Sequence, residues 1–384
     1  MPVHDLVIKD GDLIVGTHGR SFWVMDDISA LRQASARVLA AAAHLFEPRD
    51  AYRIDWGGGG FGGGGGGGGG GANTGIGVSR PGQNPPSGVT VFYHLKTAGE
   101  KLKLEFLAPD GRVIKTYESA PPAPPAAAPG ATPPAGTPAA PPQGGPGGPG
   151  GPGAAPRPAN AAGLNSFTWD MRYPDASTFQ GMILWAGSTR GPVAPAGTYT
   201  ARLTVGTSAP LTAKFDLLDD PRTTATAADL VAQFEFLIKV RDKTSEANDA
   251  VKMIRNVKAQ LEDRATKAPR LRKSADALAA ALAVVEAEIY QVKNQSNQDP
   301  LNFPVKLNNK IAGLAGVVSS GPYRPTDQSL AVYTELEKLL KVQTDRMQKL
   351  FAEDLERFNR EARRAKQEPV VPKAEEPPRA TVTA

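Results

Sequence analysis

The groups in this sequence that could do chemistry are four histidines, scattered acids and a few clustered aromatics, with no cysteine among them. Without cysteine there are no disulfides, no thiolate metal sites and no cysteine nucleophile. His18 stands in Gly16-Thr17-His18-Gly19-Arg20, and an imidazole on a tight turn is a candidate general base. A base needs a nucleophile or carboxylate within hydrogen-bond reach, and none is assignable to His18. Two glycines reversing the chain between strands account for the motif. His4, His44 and His94 complete the set, and no two histidines are spaced like metal ligands, so no metal site is expected.

Asp26-Asp27 is a pair of acids, but glycoside hydrolysis needs two carboxyls facing each other across a cleft, roughly 5–9.5 Å apart. Adjacent residues leaving a strand point to opposite sides. They are expected to end the strand and cap a helix starting near Ser29. The glycine run between Gly57 and Gly77 contains strings resembling nucleotide-binding loops, yet it lacks the flanking strand, helix and Gly-Lys-Ser/Thr ending. No catalytic residue and no cofactor are therefore expected.

Two clusters remain. Trp169-Asp170 with Arg172, Tyr173 and Trp185 could form an aromatic platform for a sugar, with Trp169, Tyr173 and Trp185 as the ligand contacts. The structural alternative, a core tryptophan with loop aromatics, is the favoured one. Asn294 to Pro300, with Asn302, Asn308 and Asn309, is dense in amides. Only Asp299 is anionic in that run, which favours a hydrogen-bonded turn between helices over a calcium site.

The elements that position these residues fall into blocks. The chain has 384 residues and a formal net charge of +5. Basic and acidic residues interleave, so no stripe points to nucleic acid. No run of 18 apolar residues is present, so no transmembrane segment is expected. Met1 to Asp5 has neither the basic nor the apolar region of a signal peptide.

Leu6-Val7-Ile8, Leu13-Ile14-Val15 and Phe22 to Met25 read as three short strands, the first two joined by an Asp10-Gly11 hairpin turn. So small a sheet cannot bury its faces alone and is expected to dock onto something. Alternation resumes at Val89 to Leu95, Lys101 to Phe106, Arg112 to Tyr117, Leu164 to Asp170, Gly197 to Val205 and Leu211 to Leu217, a pattern of about six strands. Beyond Asp219-Asp220-Pro221-Arg222, apolar residues recur at three- and four-residue spacings. Leu230 to Leu261, Leu278 to Val292, Ile311 to Val318 and a stretch opened by Thr326 read as four helices. The Leu278–Val292 stripe could pair within the chain or between chains.

The expected organisation is multidomain. It comprises a remnant of a β-propeller blade (1–30), a connector (31–56) and a disordered glycine-rich linker (57–87). An all-β immunoglobulin-like sandwich (88–219) follows, with a disordered Pro/Ala/Gly insertion at 120–162. An all-α antiparallel bundle or hairpin tail (222–366) and a disordered end (367–384) complete it.

Asp12-Leu-Ile-Val-Gly-Thr-His-Gly-Arg-Ser-Phe-Trp-Val-Met-Asp-Asp-Ile-Ser resembles the closing blade of bacterial sortilin-like, Asp-box-repeat propeller proteins commonly labelled glycosyl hydrolases. Val-Lys-Asn-Gln-Ser-Asn-Gln-Asp-Pro-Leu-Asn at 292–302 resembles a stretch of their helical tail. Phe167-Thr168-Trp169-Asp170 with Pro195 to Leu203 is similar to the immunoglobulin-like domain of flagellar hook-capping proteins. The resemblance implies a C-terminal, non-catalytic accessory portion of a larger periplasmic or extracellular protein. Its implied partner is an upstream propeller or another protein. The alternatives are part of a glycoside hydrolase whose catalytic propeller lies elsewhere, or a carbohydrate-binding sandwich.

Overall fold

The computed structural model describes residues 2–54, 86–120 and 156–373. The expected linker, insertion and tail lie outside these residues except at 86–87, 120, 156–162 and 367–373. The chain combines sheets with a helical C-terminal region. It divides into two compact units, Met1–Tyr173 with Val193–Thr223, and Pro174–Pro192 with Thr224–Ala384.

The first unit opens with an antiparallel sheet of β1 (Val3–Lys9), β2 (Asp12–Thr17) and β3 (Phe22–Met25), in that order. Asp10 (φ 52°) and Gly11 (φ 86°) are both left-handed, as a two-residue turn between twisted strands requires. Two short helices follow, α1 (Ser29–Gln33) and α2 (Ala36–Ala40), the second capped by the Ser35 hydroxyl, which accepts from Val38 N. The stretch read as a connector also holds two three-residue strands, β4 (Ala43–Leu45) and β5 (Ala51–Arg53). Three residues are too few to show a period of two, so neither was legible.

The remaining strands are β6 (Val89–Leu95), β7 (Leu102–Leu107), β8 (Val113–Glu118), β9 (Gly163–Trp169), β10 (Gly197–Val205) and β11 (Leu211–Asp219). They form one sheet in the order β5-β11-β10-β7-β8 and a second in the order β4-β6-β9. The alternation in β6, β7 and β10 aims Val91, Tyr93, Leu104, Phe106, Tyr199 and Ala201 into one shared core. Phe106 and Trp169 stack at its centre, with ring centroids 4.8 Å apart and planes 18° off parallel. Gly88 immediately precedes β6 at φ 138°, and a Cβ there would lie 2.2 Å from the Trp169 carbonyl. Only glycine lets the two strands close at that point.

In the second unit, α3 (Ala227–Lys267) starts on a capping box. Thr226 accepts from Asp229 N, and the Asp229 carboxylate accepts from Thr226 N. The helices α4 (Arg272–Ile289), α5 (Leu307–Val318) and α6 (Asp327–Leu350) pack with it. A single π turn, Phe351–Leu355, joins α6 to α7 (Glu356–Arg364). Ile254 and Val257 of α3, Leu282 and Val285 of α4, Ile311 of α5 and Leu340 of α6 share one buried cluster. Leu278, Leu282, Val285 and Ile289 are all buried in it, so the regular stripe pairs within the chain. Val292, read as its last member, lies past the end of α4 and is exposed.

Two sequence expectations need correction. Residues 174–192, placed inside the sandwich, belong to the helical unit. Their backbone pairs with no strand; Ser177 N, Ile183 N and Trp185 N donate to the side chains of Ser245, Tyr290 and Asn309. Residues 367–373, expected as disordered tail, are ordered on the helices, with Val370 buried. Side-chain amides of Asn359 and Gln260 take up the backbone bonds of Val370 and Val371.

Candidate interaction site on an open three-stranded sheet

A sheet in water normally buries one face and wets the other. The sheet β1–β3 buries neither face. Every residue of β1 and β3 is exposed, including Leu6, Val7 and Ile8 on β1 and Phe22, Trp23, Val24 and Met25 on β3. Phe22 is 77% and Trp23 60% exposed, and as sequence neighbours they point to opposite faces. Both faces are therefore apolar and open, an arrangement typical of an interaction surface.

One end of this sheet is pinned. Asp12 Oδ1 accepts from Asp27 N at 2.9 Å and from Arg49 Nη1 at 2.8 Å. Arg49 donates also to the Asp10 carbonyl, and Ile28 N donates to the Gly11 carbonyl at 2.9 Å. All four contacts fall at the β1–β2 turn or the exit from β3. Trp23 Nε1 donates to the Arg20 carbonyl at 3.1 Å, which leaves the indole ring at the surface. The sheet is held by its polar turn while its apolar strands face solvent.

The structure places the histidines differently from their spacing. A register shift between Val3 and Asp5 bulges β1 at His4, whose ring lies 5.2 Å from that of His18. A bulge has no sequence signature here, so this pair was missed. Among the described residues, no third histidine, cysteine or acid joins them to form a metal-binding group. His44 and His94 are cross-strand partners in the β4–β6 pair. Burial, and then the neighbouring His94, lowers the His44 pKa below its ordinary value.

Asp27 is not the expected helix cap: the N-cap position of α1 is Ile28, with no side-chain cap bond, and Asp27 Oδ1 accepts instead from Ser29 N at 3.0 Å in a local turn. Asp26 is exposed beside it. Trp169, offered as a sugar contact, is 0% exposed, and its Nε1 donates to the Arg172 carbonyl at 3.3 Å. It cannot stack on a ligand; the middle of a two-sheet core demands the largest side chain available. Tyr173 packs half-buried against that same core. Trp185 is 41% exposed and belongs to the other unit.

The amide-dense run forms a closed turn. The Asp299 carboxylate accepts from Gln295 N at 2.6 Å, Ser296 N at 2.8 Å and Ser296 Oγ at 2.9 Å. These bonds, the backbone ones foremost, hold its pKa below the usual carboxylate range. Asn309 has a different use: it accepts from Trp185 N at 2.6 Å and donates to the Trp185 carbonyl at 2.8 Å. Asn248 likewise donates to the Ser177 carbonyl at 2.7 Å.

The chain matches no protein-family model, no curated protein and no solved structure. Among the described residues, no helix is long and apolar enough to cross a membrane.

Proposed function

We propose that this chain is the non-catalytic interaction portion of a larger exported β-propeller protein of the sortilin-like type, and that it docks through the sheet β1–β3. One observation carries the reading: Phe22, Trp23, Val24 and Met25 on β3 and Leu6, Val7 and Ile8 on β1 are all exposed. Burying the four β3 side chains alone would contribute on the order of 5–10 kcal/mol of transfer free energy, before the costs of association. A propeller blade has four strands, and a three-stranded sheet with open edges is one strand short of it. The resemblance of residues 12–29 to a closing blade agrees with that partner.

The middle of the chain fits an immunoglobulin-like module. Tyr199 Oη donates to the Pro195 carbonyl, four residues upstream, at 2.8 Å. That bond has the form of the tyrosine corner common in such sandwiches.

The test is a double variant, Phe22→Ser with Trp23→Ser. It should weaken association with the propeller partner by at least about 100-fold, the equivalent of two such side chains. The melting temperature of the isolated chain should stay nearly unchanged. A loss of chain stability comparable to a core substitution would mean that these residues already have their partners within the chain.

A further inference from the structure

The helical unit grips two non-helical stretches of its own chain by one device. A side-chain amide both donates to and accepts from a single backbone residue. Asn309 does this with Trp185. Asn359 on α7 does it with Val370, donating to its carbonyl at 3.0 Å and accepting from its N–H at 2.8 Å. Gln260 on α3 does it with Val371, at 2.9 and 3.1 Å. Arg264 adds a bond to the Glu368 carbonyl at 2.8 Å.

A carboxamide pairs with a peptide group as a neighbouring strand would. It reads main chain and is indifferent to the side chain it holds. This is the logic of peptide recognition by strand addition, in which backbone bonds give affinity and a pocket gives specificity. The pocket here is single: Val370 is 1% exposed, whereas the next residue, Val371, is 48% exposed. Pro369 and Pro372 flank the pair, and proline pre-sets an extended backbone.

The seat lies at the π turn Phe351–Leu355, a helix irregularity that recurs at functional sites. Beside it is a cleft of about 430 Å³, lined on one side by Phe351, Leu355 and Asn359 and on the other by Pro369 to Pro372. Lys366, left-handed at φ 57°, is the point at which the chain leaves α7 for the strap.

We propose that this seat is a receptor site for an extended, proline-flanked β-branched peptide, with Glu368–Pro372 as its resident copy, and that such a segment supplied in trans displaces it. The strap is fastened by backbone bonds that any peptide can make and by one buried side chain. The cleft gives an incoming peptide room to engage before the strap leaves.

Hydrogen exchange on the intact chain tests this, with the synthetic peptide Gln-Glu-Pro-Val-Val-Pro-Lys as probe. The Val370 and Val371 amides should exchange through a local opening, at least about 100-fold faster than those of Ile254 and Val257 on α3. Excess peptide should accelerate them further while α3 stays protected. A control peptide with aspartate in place of the first valine should do nothing. As a second measurement, a Val370→Asp chain should bind labelled peptide at least about 10-fold more tightly than the wild type, because its seat is empty. Adding Asn359→Leu should abolish that binding. Strap amides that exchange only with the helical core, or that ignore the peptide, would overturn the proposal. That result is read on the wild-type chain even if the variants fail to fold.

Discussion

Glu105 on β7 and Arg202 on β10 are direct cross-strand partners, with Arg202 Nε 2.8 Å from Glu105 Oε2. Lys103, two residues along β7, approaches the other oxygen at 3.3 Å. Glu105 is 5% exposed, so its carboxylate is nearly buried between two cations. Burial opposes its ionisation, but Arg202 and then Lys103 outweigh burial and hold its pKa below the usual range. A carboxyl with a depressed folded pKa stabilises the fold above its unfolded value, near pH 4.3. That contribution is lost as pH falls through the lower folded value. Glu105→Gln should therefore cost about 1–2 kcal/mol at pH 7 and progressively less towards pH 3. Melting curves at the two pH values check this, and an equal loss at both would contradict it.

The two tryptophans should behave oppositely. Trp169 fills the centre of the two-sheet core against Phe106, Tyr199 and Phe215. Trp169→Ala should cost about 3–5 kcal/mol through lost transfer energy and the cavity left behind. Trp185 is partly exposed and held through its backbone by Asn309, so Trp185→Ala should cost less than about 1 kcal/mol. Denaturant unfolding of both variants decides the matter.

These residues also show how far the sequence could be read. Alternation in Leu102, Leu104 and Phe106 set their strand facing and put Glu105 opposite, and both hold. It could not show that Glu105 is buried, because that depends on residues about a hundred positions away. Thr326 was legible as a cap and accepts from Ser329 N at 3.2 Å. The 174–192 segment was not, since its partners Ser245 and Asn248 are ordinary polar helix residues without a motif, and the amide density around Asn309 gave no sign of which backbone it holds. The open sheet was the most legible feature of the candidate site. Three short apolar strands cannot cover themselves, and a sequence shows that directly.

Glu286 on α4 should be the most sensitive polar position of the helical unit. It is 3% exposed, and it accepts from Arg255 Nε at 2.6 Å and Lys258 Nζ at 3.0 Å. The Arg255 guanidinium also lies over the rings of Phe179 and Tyr290. Glu286→Ala leaves two cations facing each other without their shared anion. Both cations are partly solvated, so the expected cost is about 2–3 kcal/mol rather than the full value for a buried pair. Glu286→Gln keeps one acceptor oxygen and should cost less. Equal losses in thermal unfolding would show that the retained amide oxygen contributes nothing there.

The central claim is that the sheet β1–β3 is an interface for further β-structure. The most direct measurement places a photo-crosslinking amino acid at Trp23 in the native host and identifies its adduct by mass spectrometry. The account requires an adduct to peptides of a β-propeller, lost when Phe22 is replaced by serine. An adduct confined to these 384 residues, or to a second copy of them, would contradict the claim.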